Sequence, residues 1–145
     1  MPAVGMPAVG MPAVGLLVVG LGASRGVTAA AVADLVARVL GGAGDVAAHA
    51  SIDRRADEPG LLAAIAPAPL RTYPAAALDA VAVPSPSDRT RESVGAGSVA
   101  EAAALLAATE LAGPGDEVVL RVAKTRGERC TAAVAEVRPR RPTPG

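Results

Sequence analysis

The chain has 145 residues, 51% of them hydrophobic, and a formal charge of zero from 14 basic and 14 acidic side chains, which suits one domain with a substantial core. Tyr73 is the only aromatic residue, so Ala, Val and Leu must fill the interior, and the stacking platforms of a nucleic-acid binder are missing. Balanced charge leaves no global field to draw in a polyanion, so any anion site must be local; a single Cys130 and a single His49 exclude an intramolecular disulfide and argue against structural zinc.

The N-terminus repeats MPAVG three times. A five-residue period carrying Pro and Gly cannot sustain a helix and is too short for a solenoid unit, so residues 1–15 are expected to be a disordered leader. Each repeat begins with Met, which leaves the start of translation ambiguous. No basic residue precedes Arg25 and no uninterrupted apolar run is present. Neither a signal peptide nor a membrane span is expected, and a cytoplasmic protein follows.

Leu16 to Val19 reads as a strand buried on both faces. Gly20, Gly22 and Gly26, in GLGASRG, then allow a tight turn and close approach to a ligand. The first turn of the next helix presents unpaired N–H groups with Arg25 beside them, an anion-binding corner. That helix is marked by Val32, Leu35, Val36, Val39 and Leu40, with Thr28 as N-cap and Gly41-Gly42 as its stop. Residues 46–52, VAAHASI, form a second strand, broken by the polar run DRRADEPG from Asp53 to Gly60. A short helix through Leu61, Leu62 and Ile65 ends at Pro67, and Pro69 to Tyr73 reads as a third strand. Ala75 to Val81 is a helical turn, and Ser87 caps a short helix toward Val94. SVAE at 98–101 fits a capping box for a helix whose apolar face is Val99, Ala102, Leu105 and Leu106. Val118 to Ala123 and Cys130 to Val137 form a closing hairpin around the polar turn KTRGER. The expected fold is therefore α/β, one three-layer domain over residues 16–137 with a mixed, partly parallel sheet of about five strands. A basic, proline-rich tail occupies residues 138–145 and is expected to fray.

Ligands of open α/β sheets sit outside the carboxyl ends of the parallel strands. On this reading GLGASRG and DRRADEPG share one rim. Were the strand before Lys124 parallel to the first, Arg25, Arg54 or Arg55, and Lys124 would converge there with Asp53, Asp57 and Glu58. Such a mixture suits a ligand with carboxylates.

GLGASRG, IDRRADEPGLL, VGAGSVAEAAALLA and a late Lys124 before TAAVAEV, in that order, resemble the CobE family, which is similar to the C-terminal domain of CbiG in cobalamin (vitamin B12) biosynthesis. The resemblance spans about Leu16 to Val137. It implies a small α/β domain that handles a corrin-ring (precorrin) intermediate, with other cobalamin-biosynthesis enzymes as candidate partners. The residues themselves offer no obvious metal ligands, and no resident cofactor or metal is expected. In the anaerobic pathway the two-part CbiG opens the lactone of cobalt-precorrin-5A and releases acetaldehyde; the free-standing homologue of the aerobic pathway binds or passes on intermediates. The family commonly has Lys where this chain has Arg55. Arginine keeps the cation and grips a carboxylate with two hydrogen bonds, but it cannot form a Schiff base. No N-terminal CbiG-like segment accompanies the resemblance, so full hydrolase activity is not expected simply to carry across.

Three readings follow. The first is binding or carriage of a corrin intermediate through its carboxylate arms, with Gly20, Gly22, Arg25, Gly26, Arg55 and Lys124 as substrate-binding residues. The second is a lactone hydrolase in which Asp53 or Glu58 activates water while Arg25 or the helix N-terminus holds the oxyanion. The third is a nucleotide-binding module, against which stands the spacing: GLGASRG is G-x-G-x-x-x-G, and only half of a six-strand dinucleotide fold fits this length. Of the other candidates, His49 reads as a buried strand residue, Cys130 as structural, Glu101 as part of the capping box, and Arg140 and Arg141 as solvated tail charge. Asp57 and Glu58 read equally as caps of the following helix or as ligand contacts.

Overall fold

The computed structural model describes residues 15–81 and 99–139. Residues 1–14 of the expected MPAVG leader, the helix after Ser87 and residues 140–145 of the expected tail lie outside the described residues, whereas Arg138, expected at the start of that tail, ends the last strand. In chain order the elements are β1 (Leu16–Ala23), α1 (Ala29–Leu40), β2 (Val46–Ile52), a single 3-10 turn (Asp53–Arg55), α2 (Pro59–Ile65), β3 (Leu70–Tyr73), α3 (Ala75–Asp79), α4 (Val99–Leu111), β4 (Glu117–Gly127) and β5 (Cys130–Arg138).

The five strands form one mixed sheet in the order β3-β2-β1-β5-β4. β1 pairs parallel with β2, and β2 with β3. β5 pairs antiparallel with both β1 and β4, so β4 runs in the direction of β1. Each face of the sheet carries helices, which is why β1 is apolar without alternation. Leu17, Val19 and Leu21 pack with Val32, Leu35 and Val39 of α1 and Leu61 and Ile65 of α2. Val18, with Ala50 of β2 and Ala135 of β5, packs with Leu78 of α3 and the alanines of α4. No helix among the described residues is long and apolar enough to cross a membrane.

Local signals set the helix ends. Thr28 Oγ1 accepts the Ala31 N–H at 3.1 Å, and Gly41 closes α1 in the left-handed region, as an N-cap and a C-terminal glycine should. Helix α4 differs from a surface helix. Alanines at 100, 102, 103, 104, 107 and 108 and also Glu101 are buried, so small side chains let this helix lie close against the sheet.

Two elements are longer than the sequence pattern suggests. β1 continues through the glycines to Ala23, because β5 lies alongside and pairs with it up to Ala23↔Cys130. β4 continues through Lys124 to Gly127, so the hairpin turn shrinks to Glu128-Arg129. In both cases hydrogen bonding to a neighbouring strand overrides the local preference for a turn.

Candidate functional site

A cleft of about 580 Å³ opens at the carboxyl ends of β1 and β2. It exists because the two strands part there: their pairing ends at Gly20↔Ala50, and Ser51 Oγ donates to Leu21 O at 2.7 Å in place of a further strand-to-strand bond. β1 beyond that point is paired with β5 alone. Three further segments complete the walls: the 3-10 turn after β2, the β4–β5 turn, and the start of α4 at Val99.

Five arginines line this cleft: Arg25, Arg54, Arg55, Arg126 and Arg129. Ile52 and Val99 add apolar surface, and buried Gly22 leaves the end of β1 bare of side chain. Among the described residues no carboxylate belongs to the lining, and none of the five arginines is ion-paired. Elsewhere Asp34 pairs with Arg38, Glu110 with Arg71, and Glu136 with both Arg121 and Arg138.

The β1–α1 turn is held by its main chain. Arg55 Nε donates to Ala23 O at 2.7 Å. Ser24 N donates to Arg129 O at 3.0 Å, and Gly26 N donates to Glu58 Oε2 at 3.0 Å. Gly26 has φ +82, a conformation open to glycine and strained for other residues. Three residues from two segments distant in sequence thus fix the turn that carries Arg25.

Of the residues singled out from sequence, Gly22, Arg25 and Arg55 lie on the cleft, and Gly26 lies in the turn beside it. Gly20 is inside β1 under α4; a Cβ there would come within 2.0 Å of Ala100 O. Asp53 begins the 3-10 turn, exposed and off the lining. Glu58 occupies the N-cap position of α2 without a side-chain cap bond, because its carboxylate is turned to Gly26. Lys124 sits within β4, three residues before the strand's end, and its main-chain N–H donates to Glu101 Oε2 at 2.8 Å.

His49 is buried on β2, its Nδ1 has no partner, and burial lowers its pKa from the ordinary 6.5. Cys130 opens β5 at the edge of the cleft, with burial pushing its thiol pKa up, as for a packed rather than a reactive thiol. Among the described residues no group of three or more His, Cys, Asp and Glu side chains is placed to hold a metal.

Arg126 and Arg129 were not legible from the spacing of the motifs, since KTRGER reads as an ordinary polar turn. The usable signal is indirect. A β5 that pairs antiparallel with β1 must begin where β1 ends, which brings the hairpin turn to the same rim.

A model of the family described as cobalamin synthesis G C-terminus matches residues 17–135. The chain is similar to the crystal structure of CobE, a protein from the cobalamin (vitamin B12) biosynthetic pathway, at 34% identity and a TM-score of 0.69, over 92% of this chain and 98% of that one. It is also similar to the cobalamin biosynthesis protein chiG from Agrobacterium tumefaciens str. C58, at 29% identity and a TM-score of 0.58, over 83% of this chain and 97% of that one. No curated protein sequence matches. The chain belongs to the cobalamin synthesis G C-terminus family of cobalamin biosynthesis proteins.

Proposed function

We propose that the chain binds a corrin-ring intermediate of cobalamin synthesis, gripping its carboxylate arms in the cleft at the ends of β1 and β2. The observation that carries this reading is the set of five arginines on one cleft without a carboxylate among its described lining residues. Guanidinium groups take carboxylates through paired, charge-assisted hydrogen bonds. Arms spread around an apolar ring suit cations on several walls with Ile52 and Val99 between them. The cleft volume also lies in the range of small-molecule sites.

Binding is favoured over hydrolysis. A lactone hydrolase needs a base beside the substrate, yet Glu58 is committed to the Gly26 N–H and Asp53 is off the lining. The charged side chains on the described lining are all arginines, which donate hydrogen bonds and cannot act as a base.

An absorbance titration with corrin-pathway intermediates tests the proposal, repeated with Arg25→Ala and Arg54→Ala. The native protein binds one intermediate in the micromolar range or tighter, and each variant weakens binding by roughly tenfold, as for loss of one charge-assisted contact. No binding by any intermediate in that range would refute the reading. Acetaldehyde release during the titration would replace it with the hydrolase.

A further inference from the structure

The β4–β5 turn holds the one non-glycine residue with positive φ among the described residues: Arg129, at φ 63. Gly127 and Cys130 are paired, so the turn proper is Glu128-Arg129, and its second position is one where glycine or asparagine is the unstrained choice. An arginine there is disfavoured by its own Cβ. What the fold draws from this position is main chain, since Arg129 O accepts the Ser24 N–H at 3.0 Å, a bond that glycine would make equally well.

The side chain has a different placement. Its guanidinium reaches over the β1–α1 turn, with Nη1 at 3.5 Å from Arg25 O and 3.7 Å from where a Cβ of Gly26 would stand. That single bond is at the limit of hydrogen-bonding distance and leaves most of the five N–H donors of the group unspent. Among the described residues no carboxylate pairs with it. It faces the cleft with Arg25. A strained backbone that persists at a ligand cleft points toward use of the side chain it carries.

We propose that Arg129 is a ligand-gripping residue: its guanidinium, held over the β1–α1 turn beside Arg25, takes a carboxylate arm of the bound corrinoid, and the turn retains a left-handed arginine for that contact. The proposal rests on the corrin-binding reading of the cleft and names a contact that the motifs do not. Because Arg126 shares the hairpin, the second wall of the site is cationic as well, and a ligand with carboxylates on two sides bridges the walls.

The test is Arg129→Gly, which removes the guanidinium and relieves the backbone at once. The probe is a cobalt corrin whose side arms are all free carboxylic acids, titrated by absorbance at two salt concentrations, with thermal unfolding measured alongside. The expected result is an unfolding midpoint equal to or above that of the native chain, affinity lowered tenfold or more, and a weaker salt dependence. Arg129→Lys, which keeps the charge without the two-pronged geometry, falls between. Native protein that binds the probe while Arg129→Gly binds it within twofold overturns the role of Arg129 and leaves the corrin reading standing. A markedly lower midpoint for Arg129→Gly also overturns it, by making the side chain structural. Native protein that does not bind the probe overturns the corrin reading and this proposal with it.

Discussion

Glu58 has a buried carboxylate at 8% exposure, and its oxygen is given to one main-chain N–H, that of Gly26, 32 residues away. Burying a carboxylate costs free energy unless hydrogen bonds replace the lost water, so this contact fixes where the α2 end and the β1–α1 turn meet. The role that follows is positioning: Glu58 holds the turn from which Arg25 projects. Glutamine keeps an acceptor oxygen at the same reach and alanine does not. Glu58→Gln should therefore keep both stability and corrin affinity within about twofold, whereas Glu58→Ala leaves the Gly26 N–H unmatched and costs about 1–3 kcal/mol. Urea unfolding of the two variants measures the difference. Loss of ligand processing in a well-folded Glu58→Gln would instead mark the carboxylate as a base.

The contact between α4 and β1 shows how composition becomes architecture. Gly20 lies beneath Ala100 and Ala104, and a Cβ at Gly20 would stand 2.0 Å from Ala100 O and 2.7 Å from Ala104 N. Those neighbours are helix backbone, so nothing can swing aside. Gly20→Ala should lift α4 from the sheet and cost about 3 kcal/mol, the upper end of overpacking penalties, read as a lower urea midpoint at unchanged slope. This explains what the sequence could and could not disclose. The β1–α1–β2 unit, the caps at Thr28 and Gly41, and the shared rim of GLGASRG and DRRADEPG follow from local periodicity and the rule for parallel strands. Gly20 read as part of a ligand turn because a glycine needed for helix packing and one needed for a loop look alike in one dimension. The hairpin arginines were hidden for a related reason: their place on the rim depends on β5 pairing with β1, a contact between residues more than 100 positions apart. Lys124 illustrates the converse, since the strand does run in the direction of β1 but extends to Gly127, carrying its end past Lys124.

Across the whole molecule the formal charge cancels, 14 against 14, yet its distribution is uneven. Acidic side chains such as Asp34, Glu110 and Glu136 meet arginines away from the cleft, while five arginines share the cleft without that neutralisation. Their mutual repulsion works against the folded state when the cleft is empty and is relieved when an anion enters. A ligand that binds only the folded chain stabilises it in proportion to the logarithm of one plus the ratio of its free concentration to Kd, about 2.7 kcal/mol at a hundredfold excess over Kd. For a chain of this size that is a rise of about 10 °C in unfolding temperature. A free-acid corrin at that excess should produce such a shift at physiological salt, measured by thermal unfolding. Raising salt to 1 M shortens the screening length from about 8 Å to about 3 Å, so at the same ligand concentration most of the shift should vanish. The double variant Arg54→Ala/Arg126→Ala, with one cation removed from each wall, should unfold no earlier than the native chain without ligand and should show little of the ligand-induced rise. A shift that survives 1 M salt undiminished would mean that apolar contact with the ring, and not the arginine set, holds the ligand.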